Sequence, residues 1–362
     1  MTLAGVDRAF VQAQLFGATE LSALGSGHLR FSDDDLAVVA ALQHAPRASW
    51  REIGETLGVS ASTAARRWDR LVASGLAWIT AYPSSRFGAV AYVRIQTTAA
   101  RFQAVAVEFA ISPFVFWLEQ TDGSGALFAG VAARSFPRLR EILDLLAETP
   151  GVLSITSSLS VSTIREGDEW LPDTVRAPVA SRIREAQTAD GGAVARFSDA
   201  ELALFEELYV DGRASYTRLA ARSGMSERTV RRWLPEQLES GRVRVRCDVA
   251  RERLGYQLGV LATIDAGRNW ESLAQAVLRW SSTRMIAYTS GSSPLLLHSW
   301  VRSPGEWLSI EQRIREIQPA TAITEVTFTL RSLKRFGQLF APDGTTSGQV
   351  RLARPSGTGS AT

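Results

Sequence analysis

Two stretches of this chain gather side chains suited to contacting a polyanion. Ser60, Ser62, Thr63, Arg66 and Arg70 lie in V-S-A-S-T-A-A-R-R-W-D-R-L-V-A-S-G; Ser226, Arg228, Thr229, Arg231 and Arg232 lie in M-S-E-R-T-V-R-R-W-L-P-E-Q-L-E-S-G. A guanidinium is a planar fork of donors that matches phosphate oxygens or the edge of guanine, and small side chains at the start of a helix let it enter a major groove about 12 Å wide. Arg47 and Arg213, each opening an R-A-S triplet, are read with them as DNA-contacting residues. This is recognition chemistry: no catalytic residue, cofactor or metal is expected, and the lone Cys247, in R-V-R-C-D-V, has no metal-ligand spacing and reads as a half-buried thiol in a strand.

The elements that must carry these residues occur twice. Residues 31–75 align without a gap on 197–241, with 15 of 45 positions identical, at a period near 166 residues. That is too long for a solenoid, whose units of roughly 20–50 residues cannot bury a core alone, so each copy is the size of a complete domain pair. In each, Ser32 or Ser198 caps a first helix whose opening turn is acidic. A second short helix over 50–57 or 216–223 halts at Gly58 or Gly224, and a third opens at Ser60 or Ser226. Helix, glycine turn and serine-capped helix is the helix-turn-helix signature. In the third helix Ala64, Trp68 and Leu71 fall on the core side, which turns Ser62, Ala65, Arg66, Asp69 and Arg70 outward; Val230 and Leu234 are the buried counterparts in the second copy. Pro235 should kink or end that second helix, after the two turns that would read bases.

After each helix-turn-helix the pattern alternates. Strands are expected over 89–96, 114–119, 126–132 and 152–164, with helices over 102–109 and around Leu139, Ile142, Leu143 and Leu146. The second copy repeats the order over 257–264, 270–280, 285–289, 295–301, 307–317 and 322–330. The order β-α-β-β-α-β is that of a ferredoxin-like sandwich. The expected fold class is therefore α+β, with two winged-type helix-turn-helix domains (31–82 and 197–250) alternating with two ferredoxin-like domains (88–164 and 256–333). Residues 165–196 read as a linker with one short helix near 179–187, residues 341–362 as a disordered tail, and residues 1–30 as a stretch that holds a helix of unassigned role.

Forty Lys and Arg against 37 Asp and Glu give a net charge of +3, and all but Lys334 of the positive residues are arginine. The opening residues lack a signal-peptide pattern and no apolar stretch approaches about 18 residues, so a cytoplasmic protein without membrane association is expected.

The motif V-S-x-S-T-x-x-R-R-W-x-R-L-x-x-x-G, a short strand and then β-α-β-β-α-β resemble the leucine-responsive regulator and AsnC (Lrp/AsnC) family of transcription factors, here twice over as in tandem actinobacterial members. The second copy matches less well, with Gln237 where Leu71 stands in the first. The resemblance implies double-stranded DNA as partner, ferredoxin-like domains that drive homo-oligomerisation, and a small-molecule effector, often an amino acid. It points for that effector to the turns at Thr121, Asp122 and Gly123 and at Thr289, Ser290 and Gly291; both keep the family's glycine and lack its acid at the expected place. The same unit also resembles siroheme decarboxylases, whose chemistry needs proton donors such as histidine. Of His28, His44 and His298 only the last falls in a sheet strand. A third alternative is an architectural DNA-binding protein whose tryptophans, Trp117, Trp270, Trp280, Trp300 and Trp307 among them, supply an oligomer interface.

Overall fold

The computed structural model describes residues 7–17, 31–84, 88–123, 125–165 and 198–350. The expected helix near 179–187, most of the linker, Ser124 and the last twelve residues lie outside these. Helix α1 (Arg8–Phe16) precedes the first head, α2 (Asp33–His44), α3 (Trp50–Leu57) and α4 (Ala61–Ala73), which leads into strand β1 (Ala77–Pro83). The second head runs α7 (Asp199–Val210), α8 (Tyr216–Ser223), α9 (Glu227–Glu239) and β6 (Val243–Val249).

Local chemistry sets these boundaries. Ser32, Ser49 and Ser198 form reciprocal capping boxes with Asp35, Glu52 and Glu201, which satisfy the otherwise orphaned first-turn amides. Gly58 (φ 67°) and Gly224 (φ 72°) adopt the left-handed conformation that ends α3 and α8 and turns the chain into the next helix. Helix α9 continues unbroken through Pro235, contrary to expectation. The cost of the missing amide bond is offset by Trp233, Leu234 and Gln237, all buried around it.

The sheet domains hold β2 (Ala89–Thr97), α5 (Phe102–Ile111), β3 (Val115–Thr121), β4 (Ala126–Ala133), α6 (Phe136–Ala147) and β5 (Val152–Arg165) in the first half. The second has β7 (Leu258–Asp265), α10 (Trp270–Val277), β8 (Thr283–Thr289), β9 (Leu295–Val301), α11 (Pro304–Ile317) and β10 (Ala322–Arg335). The long last strands bind the two sheets together. The first part of β5 pairs with β2 and its end with β8, while β10 pairs first with β7 and then with β3. The order β10-β3-β4-β2-β5-β8-β9-β7, with β7 returning to β10, closes a ring of strands. Closure removes the unpaired edges an open sheet would expose. Val90, Tyr92, Trp117 and Phe128 from one sheet pack against Leu261, Met285, Ala287 and Leu296 from the other.

Strand β10 runs five residues beyond the expected 330, and the chain then turns at Phe336 (φ 45°) and Gly337 (φ 82°) into β11 (Gln338–Phe340) and β12 (Thr346–Gln349). This corrects the disordered-tail reading for residues 341–350. Leu339 and Val350 join the core of the first ferredoxin-like domain, and that burial outweighs the loop-like Gly, Ser and Thr composition. Cys247 is fully buried in β6 rather than half-buried. No helix among the described residues is long and apolar enough to cross a membrane.

Candidate nucleic-acid interface

In each third helix the capping serine organises the first turn. Ser60 Oγ accepts from Thr63 N at 3.1 Å and lies 2.8 Å from Thr63 Oγ1 and 3.0 Å from Ser62 Oγ; Ser226 Oγ accepts from Thr229 N at 3.1 Å and lies 2.8 Å from its Oγ1. Ala64, Trp68 and Leu71 are buried on α4, as are Val230, Trp233, Leu234 and Gln237 on α9. The opposite face leaves Ser62, Arg66, Asp69 and Arg70 exposed on the first helix and Arg228, Arg231 and Arg232 exposed on the second. The alternation of small and apolar residues at helical spacing therefore puts the expected recognition face outward on both heads.

The guanidiniums on those faces differ in what already holds them. Arg70 pairs with the buried carboxylate of Asp35, and Arg67 with Asp34 at 2.5 Å. On α9, Arg231 reaches Glu227 at 2.6 Å and lies 4.5 Å from the centre of the Tyr216 ring, while Arg232 stands 3.9 Å from Glu236. Arg66 and Arg228 make no ion pair among the described residues. The pairs of Arg67, Arg231 and Arg232 have exposed or half-exposed partners and contribute about 0–1 kcal/mol, so a phosphate can displace those carboxylates at small cost, whereas Asp35 is buried and holds Arg70 more firmly. The heads are not basic as wholes: residues 31–84 carry five arginines against six carboxylates, and 198–250 nine against nine.

Arg47 and Arg213 are elsewhere. Arg47 donates through Nη1 to Gly212 O at 2.5 Å and through Nη2 to Ala214 O at 3.0 Å; Arg213 donates to Pro46 O at 2.7 Å and Ala48 O at 2.8 Å. Each guanidinium also lies over an aromatic ring of the opposite head, Arg47 over Tyr216 and Arg213 over Trp50. Burial lowers the pKa of both, that of Arg213 further because Arg47 is near. The reading of these two as DNA ligands is thus corrected: their donors are spent on the other head's carbonyls. Strand β1 pairs antiparallel with β6 beside them, from Ala77 opposite Val249 to Pro83 opposite Val243. Each head thus gives the strand a wing would use to a ladder shared with the other.

The turns marked for an effector sit at the seams of the ring. Thr121 and Thr289 are buried ends of β3 and β8. Asp122 N donates to Phe328 O at 2.8 Å and its carboxylate accepts from Phe328 N at 3.0 Å; Ser290 N donates to Leu159 O at 2.8 Å and its hydroxyl accepts from Leu159 N at 2.9 Å. Gly123 (φ 90°) and Gly291 (φ 121°) supply the left-handed backbone each turn needs. These polar groups tie each turn to the long strand of the other half.

A buried charged cluster joins the second head to the ring and was not foreseen. Asp248 on β6 meets Arg284 at 2.7 Å, Arg246 at 2.8 Å and Arg335 at 3.3 Å. Burial alone would raise its carboxyl, but the three guanidiniums hold it well below the usual carboxylate range. Nearby, Arg251 donates to Thr329 Oγ1 at 2.9 Å and stands 3.5 Å from Glu119. His298 is sealed against Trp117, ring centres 4.7 Å apart; burial first, then Arg251, Arg335 and Arg284, keep it neutral. Arginine in an expected strand interior was the one available signal, since an unpaired charge does not stay buried.

Comparison with known proteins bears on the first half most directly. Residues 32–72 match the AsnC-type helix-turn-helix domain and residues 90–170 the Lrp/AsnC ligand binding domain. An uncharacterised HTH-type transcriptional regulator of Pyrococcus abyssi is 29% identical over 147 residues, covering 39% of this chain and 93% of that protein. Among solved structures, the siroheme decarboxylase NirDL overlaps 84% of this chain and 93% of its own with a TM-score of 0.56 at 13% identity, a likeness of fold. The leucine response regulatory protein LrpA of Mycobacterium tuberculosis overlaps 39% of this chain and 98% of its own, with a TM-score of 0.34 at 21% identity. The chain carries an AsnC-type helix-turn-helix domain followed by a Lrp/AsnC ligand-binding domain, the domain pair of DNA-binding transcriptional regulators.

Proposed function

We propose that this protein is a sequence-specific transcriptional regulator whose second half is a second copy of the unit matched in the first, so that one chain forms a covalent pseudo-dimer. The observation that carries the reading is the reciprocal junction of the heads: β1 paired with β6, and Arg47 and Arg213 exchanged between them. Recognition helices of two-fold-related heads read half-sites about one helical turn apart, or a multiple of it. Here the faces differ, Ser62 and Arg66 on α4 against Arg228, Arg231 and Arg232 on α9, so the half-sites differ too. Working in the cytoplasm, the chain assembles further through its ferredoxin-like domains; exposed Leu153, Val161 and Leu308 on β5 and α11 support such contacts. A small-molecule effector acts at the ring seams, where Asp122 and Ser290 dock.

Selection from randomised duplex DNA at physiological salt tests this, repeated with Arg66→Ala and Arg228→Ala. An asymmetric bipartite site, with each substitution relaxing a different half, is the expected result. A perfect palindrome would remove the pseudo-dimer reading, and weak binding without a preferred site would favour an architectural role.

The whole-chain likeness to a siroheme decarboxylase supports a second reading, tetrapyrrole decarboxylation. It is carried less far: His298, the one histidine in the described sheet strands, is 3% exposed and held neutral by its surroundings. Titration with iron-uroporphyrin III, followed by absorbance, separates the two readings.

A further inference from the structure

The hairpin β11–β12 follows the last strand of the ring and touches more bodies than its size suggests. Leu339 and Val350 are anchored in the core of the first ferredoxin-like domain, together with Val11 and Leu15 of α1. Toward the first head, Thr346 N donates to Gly75 O at 2.9 Å, just beyond the end of α4, and the Phe340 ring stands edge-on to Trp78 of β1 with centres 5.5 Å apart. Gly75 is in the left-handed conformation (φ 65°), and a side chain there would strike the Thr346 backbone at 2.4 Å. Toward the second head, Gln349 Nε2 donates to Tyr209 O at 3.2 Å and Val210 O at 3.3 Å, the last carbonyls of α7. A side chain at Gly337 would strike the Tyr209 ring at 2.4 Å. Between the strands, Asp343 pairs with Arg253 at 2.5 Å on the segment joining β6 to the second sheet.

The two heads are thus gripped at chosen points. Gly75 ends the first recognition helix, and the α7 carbonyls lie where the second head meets β1, as Thr80 Oγ1 donates to the same Tyr209 O at 2.7 Å. An element rooted in the ring that holds one backbone carbonyl of the first head and two of the second resists rotation of either head against the ring.

We propose that the β11–β12 hairpin is a brace that fixes the distance and angle between α4 and α9, so that the chain accepts paired half-sites at one spacing. The spacing rests on the DNA-reading function; the brace itself does not.

Spin labels at Asp69→Cys on α4 and Glu239→Cys on α9, both exposed, report the distance between the helices, and buried Cys247 stays unlabelled. The full chain should give a single narrow distance distribution. Thr346→Pro, which removes the donor to Gly75, combined with Gln349→Ala, should broaden it at least twofold; Gln349→Ala alone serves if the double variant fails to fold. Unchanged widths in a folded variant overturn the brace. In parallel, binding to sites lengthened by half a turn, about five base pairs, should fall at least tenfold for the parent chain and less than threefold for the variant. Broadened distances with spacing preference intact overturn the spacing role. Broadened distances in a chain that enriches no DNA sequence uphold the brace and remove the DNA reading instead.

Discussion

The two heads are fastened to the ring by opposite chemistry. At the first, Tyr82 of β1 lies 4.3 Å from Phe336, which in turn lies 5.4 Å from Phe116, and Trp78 meets Phe340. At the second, the fastener is Asp248 among Arg246, Arg284 and Arg335, with Arg284 and Arg335 also stacked over Trp300. Aromatic contact involves no titrating group and is indifferent to pH. A buried carboxylate shared by three guanidiniums fixes direction, and it fails abruptly if one partner is lost. The two heads are therefore set by ring contacts on one side and by charge on the other, in two strands that pair with each other, Trp78 opposite Asp248.

The largest test of that contrast is Asp248→Ala. It removes the carboxylate that three buried guanidiniums share and should cost about 3–5 kcal/mol in urea unfolding, whereas Phe336→Ala, at a half-buried ring, should cost about 2 kcal/mol. A smaller loss at Asp248 than at Phe336 would reverse the comparison. The pH dependence should follow the same division. Because the folded Asp248 carboxyl is held well below its unfolded value, its stabilisation is complete above about pH 5, begins to fall near the ordinary carboxylate value of about 4, and is lost only as pH drops through the far lower folded value. Parent and Asp248→Ala chains should converge in stability as acid is added.

Lys334, next to Arg335, tests whether charge beside the second joint is always useful. Its ammonium is buried and donates to Ser112 O, and burial pulls its pKa down to about 7. The unfolded chain then keeps this proton up to about pH 10 while the folded chain loses it near 7, so stability rises across that interval. Lys334→Met should stabilise the fold by on the order of 3 kcal/mol at pH 7, with the gain vanishing near pH 10. A loss of stability at pH 7 would mean that the bond to Ser112 outweighs the buried charge.

Between the heads, Arg47→Ala and Arg213→Ala should each cost about 1–3 kcal/mol. Because the guanidiniums act on one interface, a double-mutant cycle should show them coupled; strict additivity would mean that the two contacts are independent. The smallest effect is expected at the exposed pair on the first head. Asp34→Asn frees Arg67, and DNA affinity should rise about two- to threefold with a steeper salt dependence.

Much of the fold was legible because its signals are local. Capping serines, Gly58 and Gly224, the apolar spacing of α4 and the alternation of the strands each act within a few residues. The joints were not, since Asp248 lies 36 residues from Arg284 and 87 from Arg335, and strand periodicity says nothing of which charges meet. Arg47 and Arg213 show a different failure. Their repetition was visible, but an arginine beside a helix-turn-helix looks the same in sequence whether it faces phosphate or the other head's carbonyls. The last strand pair was missed because Gly, Ser and Thr read as tail, while Leu339, Phe340 and Val350, which anchor it, are too few to form a pattern.

The closed ring has one more consequence, which concerns abundance. A regulator that pairs its reading heads by dimerisation loses that pairing when diluted below its dissociation constant. Here both partners of every seam belong to one polypeptide, so each meets the other at an effective concentration in the millimolar range for short connections, whatever the number of molecules present. The arrangement of α4 and α9 should thus be the same for a protein present in a handful of copies as for an abundant one.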